Sequence, residues 1–471
     1  MGAVMRKPIP LLGQQSTSRI AKVNDQQTIN LYPQVESGSA KSQLTLLSTP
    51  GLSKITTIGT GPSRANPVRW GGNLYGVSGN SLWKMDTSDV VTIVGTLNTS
   101  SGWCILAGGR THLGVVDGTN GYYTDGSTTT QIADADFPNG ATHISYLDGY
   151  FICGKPATDQ FYTSASEDIT SWAALDFASA EANPDNILAH ISTDKDLFLF
   201  GGETVQIFYN SGNADFTFSP YPNVIEYGIQ AKYSLAKDET GLYCLAISPG
   251  GGLSVVKIVG FQGAQISDQD MTWTINQLTT TDDAIGAIYN MKGQNYYILT
   301  FPSEDVTYAF NVQTGLAHRL KSYGLGRHRA LGYGSLGTRQ FVGDYDNAKL
   351  YELSFSMYTE DTAIIERYRR ARVIHLNNQR IQYHELVIDV KSGVGNVADP
   401  TPVMELRWSD DGGNTWSNWI PKSLGATGAY STRCVWHRLG TSRGRTFEFR
   451  CTDQVEFEVI DAFANVEVLN D

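Results

Sequence analysis

The chain has 471 residues, of which 41% are hydrophobic, 17% are charged and 48 are glycine. This length suits two or three domains, and the net charge of −12 excludes a basic protein that wraps nucleic acid around itself. The same charge is compatible with a channel through which DNA slides without sticking, and also with simple solubility. Abundant glycine and aromatic residues favour many short strands joined by tight turns.

The five cysteines are scattered and form no CxxC pair, which argues against a zinc ribbon or a thioredoxin-like site. The first residues lack the apolar core of a signal peptide, and no stretch approaches the roughly 18 apolar residues of a membrane span. The eight histidines show no metal-ligand spacing. We therefore expect a soluble, reduced protein that is made in the cytoplasm and binds no metal or other cofactor.

Residues 1–60 are polar and irregular, with prolines and paired glutamines. We predict that they form an extended N-terminal arm and the first strands, and that the arm runs over a neighbouring surface. A partly disordered terminus is the alternative.

Residues 61–355 loosely repeat one unit, made of an apolar strand, a turn rich in Gly or Asp, and a second strand with aromatic residues. Repeats of about 40–50 residues with several strands each are typical of β-propeller blades. Seven copies predict seven blades, or six if one hairpin is an insertion, and one large irregular β-sandwich is the alternative. The copies lie at 74–86, 113–126, 150–165, 197–212, 243–260, 296–315 and 340–353.

Residues 356–471 follow a different pattern, in which a short connector at 356–363 precedes runs of strictly alternating apolar residues. Such alternation predicts strands with one buried face. Five or more such strands within about 100 residues predict a C-terminal β-sandwich. The alternating runs lie at 381–390, 403–408, 434–439, 446–452 and 457–463.

Residues 409–416 fit the S-x-D-x-G-x-T-W pattern of the Asp-box, which is familiar from sialidases. We expect Asp411 to accept hydrogen bonds from turn amides, Gly413 to adopt unusual backbone angles and Trp416 to pack under the hairpin. Sialidases carry several copies away from their catalytic centre, whereas this chain has one, outside the predicted propeller. We therefore interpret the motif as a structural turn.

Catalytic motifs are missing elsewhere in the sequence. Neighbouring carboxylates such as Asp282 and Asp283 are interpreted as solvated turn residues, because closeness in sequence does not place two carboxylates across one bond. There is no nucleophile elbow and no phosphate-binding glycine loop. We predict that the chain is not an enzyme and has no catalytic residue, metal site or small-molecule substrate.

Two groups of arginine stand out in the C-terminal part of this acidic chain. Such arginines could meet acidic patches on a neighbouring subunit or another partner. An edge strand protected by charge is the alternative. The residues predicted to form an interface are Arg367, Arg369, Arg370, Arg372, Arg443 and Arg445.

Several stretches, in order over most of the chain, are similar to one family. They resemble the tail nozzle proteins of short-tailed bacteriophages (podoviruses), also known as packaged-DNA stabilisation proteins or tail accessory factors. The stretches are NLYP at 30–33, STPGL at 48–52, and residues 203–212, 228–236, 408–417 and 436–455.

The resemblance implies a structural protein of the virion tail, made in the host cytoplasm, with no enzymatic activity and no cofactor. Members of this family form a homo-hexameric ring below the adaptor ring under the portal, close the channel after packaging and conduct DNA during ejection. Their partners are the adaptor, which the arginines above could contact, and tail fibres, spikes or a needle. Double-stranded DNA passes through the lumen without sequence-specific binding.

Two other functions stay open on the sequence. The propeller and the Asp-box also suit a glycan-binding or glycan-cleaving, sialidase-like tail protein. A non-enzymatic module that binds a host receptor is the third possibility.

Overall fold

The structure, a computed structural model, describes residues 5–20, 24–36, 38, 42–181, 183, 185–213 and 215–469. Within these residues the chain forms 44 strands, one α-helix at Gln269–Asn276 (α1) and one 3₁₀ turn at Lys232–Ser234. In this part of the chain no helix is long and apolar enough to cross a membrane. The strands build a β-propeller and a β-sandwich, which confirms the predicted fold class.

The first 60 residues contribute six strands, and these are divided between the two domains. Three of them belong to one sheet of the sandwich, and the last joins the propeller. Their bounds are Met5–Pro8 (β1), Ser16–Thr17 (β2), Asp25–Ile29 (β3), Leu31–Val35 (β4), Leu44–Ser48 (β5) and Gly51–Thr57 (β6).

The propeller has seven blades, each an antiparallel sheet that runs from an inner to an outer strand. Blade 1 consists of Val68–Trp70 (β7), Asn73–Ser78 (β8), Ser81–Met85 (β9) and Val91–Thr96 (β10). Blade 2 consists of Ile105–Gly108 (β11), Leu113–Val116 (β12), Gly121–Thr124 (β13) and Thr129–Gln131 (β14). Blade 3 consists of Ile144–Leu147 (β15), Tyr150–Gly154 (β16), Gln160–Ala165 (β17) and Asp168–Ser179 (β18). Blade 4 consists of Ala189–Ser192 (β19), Asp196–Phe200 (β20), Val205–Asn210 (β21) and Phe218–Ile225 (β22). Blade 5 consists of Gly228–Ile229 (β23), Ala236–Asp238 (β24), Gly241–Ile247 (β25), Leu253–Val259 (β26) and Gln262–Gln265 (β27). Blade 6 consists of Ile285–Met291 (β28), Gln294–Phe301 (β29), Val306–Asn311 (β30) and Ala317–Leu320 (β31). Blade 7 contains Ala330–Leu336 (β32), Arg339–Asp344 (β33) and Lys349–Ser354 (β34).

The seven repeats found in the sequence coincide with the two middle strands of the seven blades. These strands are buried on both faces because neighbouring blades stack against them. In β20, for example, the four residues from Leu197 to Phe200 are all buried, whereas the outer strand β10 of blade 1 is largely exposed. The sequence predicted seven blades or six, and the structure has seven.

The ring of blades is closed by a strand from the N-terminal segment. Strand β6 pairs antiparallel with β34 and so becomes the fourth strand of blade 7. The inner strands β32 and β7 of the last and first blades pack side by side. The Asn66 side chain donates to Gly286 O at 2.9 Å and accepts from the amide of Tyr333 at 3.1 Å. The chain thus closes its own ring without any covalent link.

The sandwich is formed by the C-terminal strands together with β1, β3, β4 and β5. One sheet has the order β4–β5–β44–β39–β42, with β1 also paired to β44, and the facing sheet has the order β3–β37–β43–β40–β41. Trp436, Phe447 and Phe449 are among the large side chains in the core between them. Two short strands, Thr359–Glu360 (β35) and Ala363–Ile364 (β36), come first and extend the sheet of blade 7, because β35 pairs with β6 and β36 with β35. The C-terminal strands of the sandwich are Arg367–Arg370 (β37), Ile374–His375 (β38), Arg380–Val390 (β39), Val403–Ser409 (β40), Ile420–Ser423 (β41), Cys434–Ser442 (β42), Gly444–Cys451 (β43) and Glu458–Leu469 (β44).

One sheet is continuous across both domains. Strand β3 pairs in parallel with β31 of blade 6 through Ile29 and Arg319, and its other edge pairs antiparallel with β37 of the sandwich. Blade 6 and one sandwich sheet thereby form a single eleven-stranded sheet. The N-terminal segment is consequently the shared element that joins propeller and sandwich.

Candidate functional site: the arginine junction between the domains

The arginines predicted to form an interface lie mostly where the shared sheet enters the sandwich. Strand β37, which carries Arg367, Arg369 and Arg370, is hydrogen-bonded to β3 on one side and to β43 on the other. The alternative interpretation as an edge strand protected by charge is therefore wrong, because neither side of β37 is an edge.

Arg369 is fully buried and binds the N-terminal segment. Burial lowers the pKa of Arg369 to about 9, so the guanidinium remains charged at neutral pH and needs several acceptors. All four acceptors belong to residues 11–28, which places this segment against β37. They are Leu11 O at 2.9 Å, Gln14 O at 3.0 Å, Thr28 Oγ1 at 2.6 Å and Gln26 Oε1.

Glu448 on β43 is also fully buried and connects three strands of the same sheet. Its carboxylate accepts from Arg370 Nε at 2.6 Å and from Arg407 Nε at 2.5 Å. Arg370 also donates to Asp25 on β3 at 2.5 Å. A buried carboxylate between two guanidinium groups is satisfied on both oxygens, as a stable buried charge requires.

Arginine and tryptophan side chains alternate on the face of this sheet, in what we call the arginine–tryptophan ladder. Arg407 stacks between two indoles, 4.7 Å from the ring centre of Trp416 and 4.4 Å from that of Trp419. Arg370 also lies over the Trp416 ring, 5.2 Å from its centre, and Arg450 lies over Trp419 at 4.4 Å. Each cation–π contact of this kind contributes about 0.5–1 kcal/mol at a half-exposed position.

The Asp-box forms the turn that supplies the ladder with Trp416. The Asp411 carboxylate accepts from Ser409 Oγ at 2.7 Å, from the Asn414 amide at 3.0 Å and from both the amide and hydroxyl of Thr415. These bonds, above all those from Thr415, lower the pKa of Asp411. Gly413 has a φ of 93°, and its carbonyl accepts from Trp416 Nε1 at 3.1 Å. The Trp416 indole thus lies against the turn, and it also contacts the guanidinium groups of Arg370 and Arg407.

Burial decides which of the predicted interface arginines could meet a partner. Arg367, Arg369 and Arg445 are at most 1% exposed, so the predicted interface role does not hold for them in this structure. Arg445 instead donates to Asp410 at 2.6 and 2.8 Å and stacks on Tyr383. Arg370 is engaged by Glu448 and Asp25 as described. Arg372 and Arg443 are exposed, and for them the interface role stays a prediction.

Sequence patterns did not reveal Glu448, Arg407 or Trp419 as members of this junction. The spacing of Trp416 and Trp419 within one loop, close to Arg407, is the signal that could have suggested a stacked arrangement. The acceptors of Arg369 lie more than 340 residues away in sequence, and no local pattern connects them with β37.

A cavity of about 370 Å³ lies on the propeller axis, lined by residues from all seven blades. Two buried histidines stand on its wall: His143 donates from Nε2 to Lys232 O at 3.0 Å, and His190 Nδ1 lies 2.9 Å from Ser145 Oγ. Burial lowers the pKa of His143 to about 3 and that of His190 to about 4. Both rings are therefore neutral at pH 7 and serve as hydrogen-bonding groups between blades.

The described part of the chain holds no group of three or more His, Cys, Asp or Glu side chains that could bind a metal ion. All five cysteines are buried free thiols, and burial raises the pKa of those such as Cys104 and Cys153. A buried, protonated thiol is a poor nucleophile.

Comparison with known proteins gives two matches to family models, one for each domain. A model described as "Bacteriophage P22 Gp10, beta-propeller" matches residues 6–358, and one described as "Bacteriophage P22 Gp10, beta-sandwich" matches residues 366–467. No curated protein matches the sequence.

Several solved propellers are distantly similar. The WD40 β-propeller domain of Doa1 has 11% identity and a TM-score of 0.40, covering 65% of this chain and 97% of that one. The WD40 domain of Neurospora crassa Pan2 has 7% identity and a TM-score of 0.39, covering 62% and 89% of the two chains. The N-terminal domain of Nup159 has 9% identity and a TM-score of 0.40, covering 70% and 98%. Similarities this distant say nothing about function.

The two family models divide the chain into the same pair of folds that the structure shows, and together they span most of its length. The resemblance found in the sequence is thereby confirmed. The chain belongs to the bacteriophage P22 Gp10 family, structural proteins of the phage tail that stabilise packaged DNA.

Proposed function

We propose that this protein is the tail nozzle of its phage. Six copies form a ring below the adaptor ring that lies under the portal, close the channel once the genome is packaged, and conduct the DNA during ejection. The observation that carries the proposal is the family match over both the propeller and the sandwich.

The size of the propeller cavity supports a channel formed between copies. The propeller axis holds a space of only about 370 Å³, lined by side chains from all seven blades. This small, side-chain-filled centre supports a lumen that lies between the chains of a ring and not along the axis of one propeller.

The charge of the chain supports DNA that passes without being held. Residues 361–471 carry 13 Lys/Arg and 15 Asp/Glu, so −10 of the net charge of −12 lies in the first 360 residues. A lumen with an excess of carboxylates repels phosphate, and the fewer Lys/Arg contacts it makes with the duplex, the fewer condensed counterions are released to drive binding. Binding to double-stranded DNA is consequently weak and independent of sequence.

The remaining partners follow from the same proposal. The exposed Arg372 and Arg443 contact the adaptor ring or a neighbouring subunit, and fibres, spikes or a needle attach to the ring. The chain is made in the host cytoplasm, a compartment that suits its five buried free thiols. It turns over no substrate.

The proposal is tested with the purified chain and with phage that lack its gene. Native mass spectrometry of the chain mixed with the adaptor should give six copies per adaptor ring. Particles assembled without the chain should package DNA and then lose it on dilution, and the wild-type chain should prevent that loss.

Two results would overturn this proposal. One is particles that retain their DNA without the chain, and the other is its absence from purified virions. Cleavage of a fluorogenic sialoside or of host polysaccharide would instead favour the glycan-cleaving function.

A further inference from the structure

At one end of the sandwich the two sheets separate and leave an apolar groove of about 570 Å³. Ile381 and Val468 of the first sheet form one wall. The other wall is formed by Ile374 of β38, which pairs with β43 of the second sheet, and by Leu376. This terminal groove is lined by residues 7–10 and 372–376 and by Ile381, Tyr383, Val466 and Val468. It is an opening of the sandwich core to the surface.

Two short strands border the groove, and each is paired on one side. Strand β1 pairs with β44, and β38 pairs with β43. No other described strand pairs with either of them. Edge strands with unpaired backbone groups are the usual acceptors of an added strand, so the groove suits an extended peptide.

The rim of the groove is basic. Lys7, Arg372 and the exposed His375 line it, and no Asp or Glu does. No described carboxylate forms an ion pair with Lys7 or Arg372, whereas the arginines of the junction are held by Glu448, Asp410 and others. Two cations without a carboxylate partner beside one apolar groove favour a negatively charged ligand there.

A buried hydroxyl supplies a further sign of an incomplete site. Tyr383 is 1% exposed and forms part of the groove wall. Its hydroxyl has no hydrogen-bond partner among the described residues. Buried polar groups are normally satisfied.

We propose that the terminal groove binds an extended segment of another protein in which acidic and apolar residues alternate. In an extended segment successive side chains point to opposite sides, so apolar residues enter the groove while carboxylates meet Lys7 and Arg372. The inference rests on the proposed contact of Arg372 with a partner and gives that partner's segment its chemistry, whereas its peptide-binding test does not depend on ring formation.

The test uses the full-length chain and a fluorescein-labelled decapeptide of alternating valine and glutamate, with the valine–lysine decapeptide as its counterpart. Fluorescence anisotropy should show saturable binding of the glutamate peptide alone. Lys7→Glu combined with Arg372→Glu should weaken that binding about tenfold or more, because two attractive contacts become repulsive. Arg69→Glu, which reverses an exposed cation on the propeller, is the matched control and should change nothing.

A second variant separates loss of the site from loss of the fold. Val468→Trp fills the groove, and it should abolish peptide binding while thermal unfolding followed by circular dichroism stays close to that of the wild type. If the double reversal unfolds the chain, the single exposed change Arg372→Gln decides, and it should weaken binding several-fold.

Three results would overturn the proposal. The two peptides could bind equally well, binding could be insensitive to Lys7 and Arg372, or the chain could self-associate in a way that competes with the peptide. The last result would assign the groove to a second copy of this chain.

Discussion

Arg339 of blade 7 grips Asp89 of blade 1 through two parallel hydrogen bonds, Nη1 to Oδ1 at 2.7 Å and Nη2 to Oδ2 at 2.9 Å. The same guanidinium binds Glu352 on β34 through its Nε and Nη2. The side chain thus links the last blade to the first at the point where the ring closes. It is about one third exposed, so water screens the contact.

Arg339→Ala should lower the free energy of unfolding by about 0.5–1 kcal/mol, the range for a partly exposed ion-pair network. Arg339→Lys should recover little of it, because an ammonium cannot form two parallel bonds to one carboxylate. Urea titration at low and high salt measures both effects, and the wild-type advantage should shrink as salt rises. Arg69→Ala, at an exposed position, is the control; an equal loss there would contradict the ring-closure role.

Arg369→Met should be far more damaging. The change leaves buried acceptors of the N-terminal segment without a donor, and each unsatisfied buried group costs about 1–3 kcal/mol. We expect trypsin or chymotrypsin to cut within residues 11–28 before the propeller is attacked, as followed by mass spectrometry. The exposed neighbour Arg372→Met should leave the wild-type cleavage pattern unchanged. Cleavage of residues 11–28 and of the propeller at the same rate would show that Arg369 does not specifically stabilise the N-terminal segment.

The arginine–tryptophan ladder predicts measurable coupling between Arg407 and Trp419. A double-mutant cycle with Arg407→Gln and Trp419→Leu should give an interaction free energy of about 0.5–1 kcal/mol. The matched cycle pairs Arg407→Gln with Trp103→Leu, whose indole lies in the propeller, and should give a value near zero. Additive effects in the first cycle would mean that the stacking contributes nothing beyond packing.

Stability should fall as the pH drops below about 6.5, the ordinary pKa of histidine. Burial lowers the pKa of His143 and His318 to about 3 and that of His190 to about 4. Below pH 6.5 the unfolded chain therefore binds protons that the folded chain refuses, and each histidine costs up to about 1.4 kcal/mol per pH unit down to its folded pKa. This stabilisation is complete above pH 6.5.

His318 offers the cleanest variant for that pH dependence. Its ring lies between Tyr32 and Tyr296, and neither nitrogen has a hydrogen-bond partner among the described residues. His318→Phe keeps an aromatic ring and removes the proton site, so the slope of stability against pH between 4 and 6.5 should decrease. Chemical unfolding at several pH values measures that slope. An unchanged slope in His318→Phe would contradict the assignment.

The middle strands of the blades could be found from the sequence because both of their faces are buried. Such strands are continuous apolar runs that end in glycine or aspartate turns, as in Leu197–Phe200 of β20. The outer strands could not be found in the same way. Strand β14, for example, has three polar residues and one neighbour, so neither composition nor alternation marks it.

The burial of the arginines on β37 could not be predicted from the sequence pattern. Alternation places Arg367 and Arg369 on one face of a strand, and charge suggests that this face is exposed. The acceptors of Arg369 come from Leu11, Gln14, Gln26 and Thr28, and only the fold brings them within reach. The division of residues 1–60 between two domains escaped prediction for the same reason.

Strand β6 cannot pair with β34 until β34 has been synthesised, about 300 residues later. Leu52 pairs with Leu353, and at about 5–20 residues per second the ribosome needs roughly 15–60 s to make the intervening chain. Strand β5 waits longer still, since Leu47 pairs with Glu458 near the end of the chain. During that time these apolar edges are open to chaperones and to aggregation. The sheets of both domains can therefore all be complete only after Glu458 has been synthesised.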